Sequence, residues 1–306
     1  MSMKGTGMIV LITGANLGMG KATTAILADR GFHVVMLCRD EKRGRTACEE
    51  ITREGGRSVE LMLCDLGNMG SIRDFVSRFK ARYDRLDVLI NNAGVITVDR
   101  RETFDGLELQ FGVNHIGHFL LAMSLLDLLE RADSGRIVVY SSGAYKAGKI
   151  HFDDYNLRRR YNVVRSYGQS KLANLLFITE LACRLRERGS KVTVNACRPG
   201  AVATQLGVDM ETGFGRTVVR ILKPFFQTPE QGCRTAVHLA TSPEVAGVSG
   251  QYFYRSKASR TWRKTRDVDV ARHLFELSKE ICDHNLGKAA SSSTSDSPST
   301  GTDGDA

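Results

Sequence analysis

What the chain lacks narrows its function before any motif is read. Its seven cysteines, at positions 38, 48, 64, 183, 197, 233 and 282, contain no Cys-x-x-Cys and are odd in number. Most sit in apolar patterns, where a thiol behaves as a small hydrophobe, so reduced cysteines in a reducing, cytoplasmic compartment are expected. None of the seven histidines pairs with cysteine or carboxylate at a ligand spacing, and no metal is expected. Gly-x-Ser-x-Gly is absent, which removes the nucleophile elbow of an α/β-hydrolase. Residues 1–7 are polar and the apolar run from Met8 to Thr13 is far below the ~20 residues that span a bilayer, so neither a signal peptide nor an integral membrane segment is expected.

The charge balance is positive, +9 from 43 Lys and Arg against 34 Asp and Glu, but the basic residues are spread along the chain without a nucleic-acid motif. Nucleic acid is not an expected partner. Arg158-Arg159-Arg160 reads as a solvated loop face, and a basic field suits a ligand that carries several phosphates.

With 306 residues, 42% of them hydrophobic, the chain can bury a sizeable core. One domain is read over residues 1–287. From Lys288 to Ala306 the residues are almost all Ser, Thr, Gly, Ala, Asp and Pro, without apolar side chains to offset ordering entropy, so a disordered tail is expected.

Inside the domain, short apolar runs alternate with helical patterns. Strands are read at Met8–Thr13, His33–Cys38, Val59–Cys64, Val88–Ile90, Arg136–Tyr140 and Lys191–Cys197; helices at Lys21–Arg30, Glu41–Glu54, Asn68–Tyr83, Phe111–Leu129 and Ser166–Arg188. The βαβ alternation requires crossovers, which place helices on both faces of a parallel sheet and explain why the strands are apolar throughout. This is an α/β doubly wound sheet, whose ligands bind beyond the carboxyl ends of the strands.

Gly14, Gly18 and Gly20 follow the first strand and open a helix, with Asn16 and Leu17 between them; such a loop lets the backbone approach a pyrophosphate over the helix N-terminus. After the second strand comes Arg39, then Asp40. A guanidinium there favours the 2′-phosphate of NADP(H) over the ribose hydroxyls of NAD(H), with Lys21 as a second cation; the bland alternative is a surface arginine beside a helix cap. Tyr167 and Lys171 stand four apart in a helical pattern, on one face about one turn apart. A nearby ammonium favours phenolate, which would let Tyr167 act as general acid in reduction and general base in oxidation.

Thr13-Gly14-x-x-x-Gly18-x-Gly20, Asn91-Asn92-Ala93-Gly94 and Tyr167-x-x-x-Lys171, in that order, resemble the short-chain dehydrogenase/reductase family from Met8 to about Asp283. The resemblance implies roles for further residues. Asp65, followed by Leu66, would hold the adenine amino group; Asn91 would order the sheet, and Ala93 and Gly94 would let the cofactor pass. Ser142 would hydrogen-bond the substrate oxygen, and Asn114 would hold a water linking Lys171 to solvent. Pro199, Gly200 and Thr204 would contact the nicotinamide carboxamide.

Within the family, Cys38-Arg39-Asp40, Val113-Asn114-His115-Ile116-Gly117-His118-Phe119 and Ser170-Lys171-Leu172-Ala173-Asn174 look most like the retinol dehydrogenase group. That implies lipophilic alcohol, aldehyde or ketone substrates and a hydride-transferring oxidoreductase. Arg198 stands where the group has histidine before Pro-Gly. The segment from Phe214 to Phe226 could be a lid that also touches a membrane peripherally, or simply a helix packed over the site. The helices near Phe111 and Ser166 are where family members commonly pair as homo-oligomers, though here their apolar residues could equally face the sheet. From a different class, a cofactor-binding scaffold or sensor acting through protein contacts stays open.

Overall fold

A computed structural model describes residues 5, 7–53, 57–199 and 228–293, with the side chains of the last helix described to residue 284. Among the described residues, eight strands form one sheet in the order β3-β2-β1-β4-β5-β6-β7-β8. They are β1 (Ile9–Thr13), β2 (His33–Cys38), β3 (Val59–Leu63), β4 (Val88–Asn91), β5 (Arg136–Tyr140), β6 (Thr193–Arg198), β7 (Tyr252–Tyr254) and β8 (Lys257–Ala258). All neighbours are parallel except the β7–β8 pair.

The crossovers are α1 (Gly18–Asp29), α2 (Glu41–Thr52), α3 (Met69–Arg82), the broken run α4 (Leu109–Phe111), α5 (His118–Ser124) and α6 (Leu126–Glu130), then α7 (Val163–Glu187) and α8 (Pro229–Thr241); α9 (Val268–Ser293) follows the last strand. Alternate strand residues feed two cores. Leu11, Val35, Leu89 and Val139 pack under α3, α5, α7 and α9; Val10, Val34, Val88 and Val138 pack under α1 and α8. Burial on both faces is why these strands read as unbroken apolar runs. The order reverses between β1 and β4, which are neighbours while β2 and β3 lie outward of β1. A crevice opens there, beyond Thr13 and Asn91.

Two expectations need correction. The continuous helix expected over Phe111–Leu129 is interrupted: Gly112–Gly117 is a π turn, and Leu125, at φ −104° and ψ 5°, leaves helical geometry. An extra residue in a turn shifts the ladder without changing the apolar pattern, so periodicity hides it. Where a tail is expected from Lys288, α9 continues to Ser293; residues 294–306 lie outside the described residues. Ala289 and Ala290 are the best helix formers, and extending a nucleated helix is cheap even without apolar partners. The helix α7 also starts before Ser166, at Val163, because the Asn162 side chain accepts from the backbone N–H of Val164 at 2.9 Å and of Arg165 at 3.3 Å.

Candidate active site

The crevice at the reversal is a cavity of about 290 Å³ that brings together Gly14, Asn16, Leu17, Gly18, Gly20, Arg39, Asp65, Leu66, Ala93 and Gly94. Gly14 and Gly18 have φ of +64° and +57°, the left-handed region in which a side chain is strained. A side chain on Gly20 would collide with the Gly14 carbonyl. The Leu17 N-cap of α1 supplies no side-chain hydrogen bond and the first turn carries no acid. The opening amides and positive end of the helix dipole are thus available to a phosphate, as the phosphate-bearing nicotinamide cofactors require.

Arg39 and Arg43 line one end of the cavity, with the Arg43 guanidinium 3.7 Å from the Asp40 carboxylate; Lys21 pairs with Glu50 on α2. Asp40 caps α2, accepting the Arg43 backbone N–H at 2.9 Å. One oxygen of Asp65 accepts the Gly67 N–H at 2.8 Å.

The asparagine that faces the loop is Asn92, which the sequence reading did not single out. Its Nδ2 donates to the carbonyls of Thr13 at 2.8 Å and Gly14 at 3.2 Å. Its backbone N–H and that of Ala93 both donate to Thr13 Oγ1 at 2.9 Å. Asn91 lies buried inside β4, off the cavity lining, and its amide makes no hydrogen bond among the described residues. Neighbouring strand residues point to opposite faces, so one of the two asparagines must turn away from the loop; the sequence alone does not say which.

Ser142 leaves the end of β5 and caps the 3₁₀ turn Gly143–Ala147, accepting from Ala144 N–H at 3.3 Å. The neighbouring Ser141 hydroxyl is committed to the Lys171 carbonyl at 3.0 Å. Tyr167 and Lys171 share one face of α7, and the Lys171 ammonium lies 5.6 Å from the Tyr167 ring centroid. That ammonium donates to the Tyr140 carbonyl at 3.3 Å. Burial pulls Lys171 down to about 8.

Burial raises the Tyr167 phenol above its ordinary value of 10.0, with the Ser142 hydroxyl pulling the other way. Desolvation is the larger of the two effects, and the ammonium, which gives one of its three protons to a backbone carbonyl, sits beside the ring. Tyr167 is therefore a protonated phenol at neutral pH.

The Asn114 side chain is fully engaged: Oδ1 accepts Val95 N–H at 2.8 Å, and Nδ2 donates to Val95 O at 3.0 Å and Ser170 Oγ at 3.2 Å. It clamps the chain that follows Gly94 against α7. Pro199 directly follows β6, and the Arg198 guanidinium lies 3.9 Å from the centroid of the Tyr254 ring. Gly200, Thr204 and the 214–226 segment lie outside the described residues.

Residues 8–213 match the family described as short chain dehydrogenase. The chain belongs to that family. Retinol dehydrogenase 14 of Homo sapiens is 43% identical, the alignment covering 89% of this chain and 85% of that protein. Retinol dehydrogenase 13 of Homo sapiens is 41% identical, with 90% and 84% covered. Among solved structures, an uncharacterized protein from Mycobacterium Paratuberculosis superposes with a TM-score of 0.73 at 33% identity over 91% of this chain and 94% of that one. A short chain dehydrogenase from Shigella flexneri complexed with NADP shares the fold, with a TM-score of 0.65 at 22% identity over 83% and 99% of the two chains. This short-chain dehydrogenase is accordingly a retinol dehydrogenase-like oxidoreductase on a Rossmann-type fold, of a family that uses a nicotinamide cofactor. No helix among its described residues is long and apolar enough to cross a membrane.

Proposed function

We propose that this dehydrogenase is an NADP(H)-dependent oxidoreductase of lipophilic alcohols and carbonyls, with Tyr167 as general acid and base. The observation that carries the reading is a partly buried phenol grouped with Ser142 and Lys171 beyond the carboxyl end of β5. A second observation supports the cofactor choice: Arg39 lines the cavity while Asp40 caps α2 and pairs with the Arg43 guanidinium, so that a cation rather than a free carboxylate would meet the ribose. The lipophilic substrate class rests on the relatives named retinol dehydrogenase.

Held by the glycine loop and Arg39, NADPH would supply the hydride. The protein's part is the oxygen. Ser142 donates a hydrogen bond to it, and Tyr167 gives up its proton as charge develops, leaving a phenolate beside the Lys171 ammonium. Oxidation runs the same groups backwards. Peripheral contact with membranes fits substrates that partition there.

The test is NADPH oxidation with all-trans-retinal beside small polar aldehydes and ketones. Preference for the long apolar carbonyls supports the substrate class. Turnover confined to small polar carbonyls overturns it.

A further inference from the structure

The π turn carries an imidazole that the chemistry above does not use. Thr13 Oγ1 already accepts two amide protons, from Asn92 and Ala93, each at 2.9 Å. With both lone pairs filled, the hydroxyl has one remaining role, to donate its own proton. Two acceptors are in range, Ile90 O at 3.5 Å and His118 Nε2 at 2.8 Å, and only the second is at a good hydrogen-bond length. His118 Nε2 is therefore bare, and the ring proton sits on Nδ1. That nitrogen lies 3.1 Å from the Asn114 carbonyl and donates to it.

The network thus assigns a tautomer and a direction. Amides at the end of β4 donate to Thr13, Thr13 donates to His118, and His118 donates to the backbone of Asn114. With the amide of Asn114 engaged by Val95 and Ser170, its carbonyl is the remaining polar group through which this residue can meet a water or Lys171. The ring is 3% exposed, and burial holds its pKa at about 4, with the Lys171 charge acting in the same direction. The neighbouring His115 is likewise buried and uncharged, donating to Ser278 Oγ, whose own proton goes to Leu274 O. An imidazole that stays neutral through the working pH range orients its neighbours and carries no proton.

We infer that His118 is a positioning residue that ties the Asn114 carbonyl in the π turn to Thr13 at the root of the cofactor loop, so that the loop and the proton path beside Lys171 are held by one ring. The inference rests on the oxidoreductase reading for its effect on turnover, but not for its tautomer or its hold on the cofactor loop. Loss of the ring's two hydrogen bonds leaves a buried hydroxyl and a buried carbonyl each one partner short. The cofactor and the reaction both feel it.

The experiment compares wild type, His118→Gln and His118→Phe in the full chain. Glutamine can accept from Thr13 through Oε1 and donate to Asn114 through Nε2; phenylalanine fills the space and does neither. Nitrogen-resolved NMR of the imidazoles, with His118→Gln identifying the His118 signals, is expected to show an Nδ1–H tautomer unchanged between pH 8 and pH 6. An Nε2–H tautomer, or an imidazolium at pH 6, overturns the inference. NADPH affinity is expected to fall ~10-fold in His118→Phe, the worth of about one hydrogen bond, and to stay within about threefold in His118→Gln. In carbonyl reduction, phenylalanine should also move the alkaline limb of the pH profile while glutamine keeps it in place. Equal losses in both variants, with an unmoved pH profile, mean that the ring only fills space and overturn the inference. If the wild type reduces no carbonyl, the functional proposal fails, while the NMR and NADPH affinity still decide the role of His118.

Discussion

The Lys171 ammonium stands 5.6 Å from the centroid of the Tyr167 ring and gives one of its three protons to the Tyr140 carbonyl. The two side chains are held as an acid pair: a phenol raised by burial and an ammonium lowered by it to about 8. The forms present at neutral pH, Tyr–OH and Lys–NH₃⁺, are those that reduction consumes and oxidation must first deprotonate.

Carbonyl reduction should therefore fall as pH rises through about 8, where Lys171 loses its charge and no longer stabilises the phenolate left by proton donation. Alcohol oxidation should rise over the same range. Profiles of kcat/KM in both directions test this, with Lys171→Arg, whose charge does not titrate, expected to move or remove the limb near 8.

Cofactor choice should turn on Arg39. Replacing it with aspartate removes a cation at the 2′-phosphate position and adds a repulsive charge. A charged hydrogen bond is worth about 1.5–3 kcal/mol, so NADPH kcat/KM should fall ~10–100-fold while NADH changes little or improves. An unchanged ratio of the two cofactors in Arg39→Asp would remove Arg39 from the site.

Asn91 and Asn92 should behave oppositely. Asn92→Ala breaks its side-chain bonds to the Thr13 and Gly14 carbonyls and should cost about 1–3 kcal/mol of stability, together with NADPH affinity. Asn91→Leu replaces a buried amide that has no partner among the described residues with an apolar group of similar size, and should be neutral or stabilising. Chemical denaturation with and without NADPH separates the two effects.

Acid should destabilise the protein below pH 6.5, earlier than carboxylate titration alone requires. Folded His115 and His118 sit near 3 and 4, whereas the unfolded side chains titrate near 6.5. Between those values the unfolded state binds protons that the folded state cannot. Stability falls with pH at roughly 1.4 kcal/mol per unit for each histidine, levelling off near the folded values. Thermal melts from pH 7.5 to 5 should show the slope, and His118→Gln should shed its share.

The sheet was legible because a parallel strand covered on both faces must be apolar along its whole length, and the glycine loop and Tyr167-x-x-x-Lys171 are short-range patterns. What depended on distant partners was not. That Asn92 rather than Asn91 reaches Thr13 follows from the face each strand residue presents. Lys21 is legible as a cation near the glycine loop, but its pairing with Glu50 on α2 is a contact between distant residues. Asn114 was legible as a residue type, but its clamp on Val95 and the π turn that carries it follow from packing against another loop. The rise of Tyr167 above 10.0 reflects burial that only the folded site creates.

The most direct test of the account is NADPH oxidation with all-trans-retinal and a carbonyl panel by wild type and Tyr167→Phe, with NADPH affinity measured on the same samples. The account predicts turnover by the wild type, loss of at least ~100-fold in Tyr167→Phe, the upper part of the range from removing a general acid, and unchanged NADPH affinity. Full turnover by Tyr167→Phe, or no turnover of any carbonyl by a wild type that binds NADPH tightly, would contradict it.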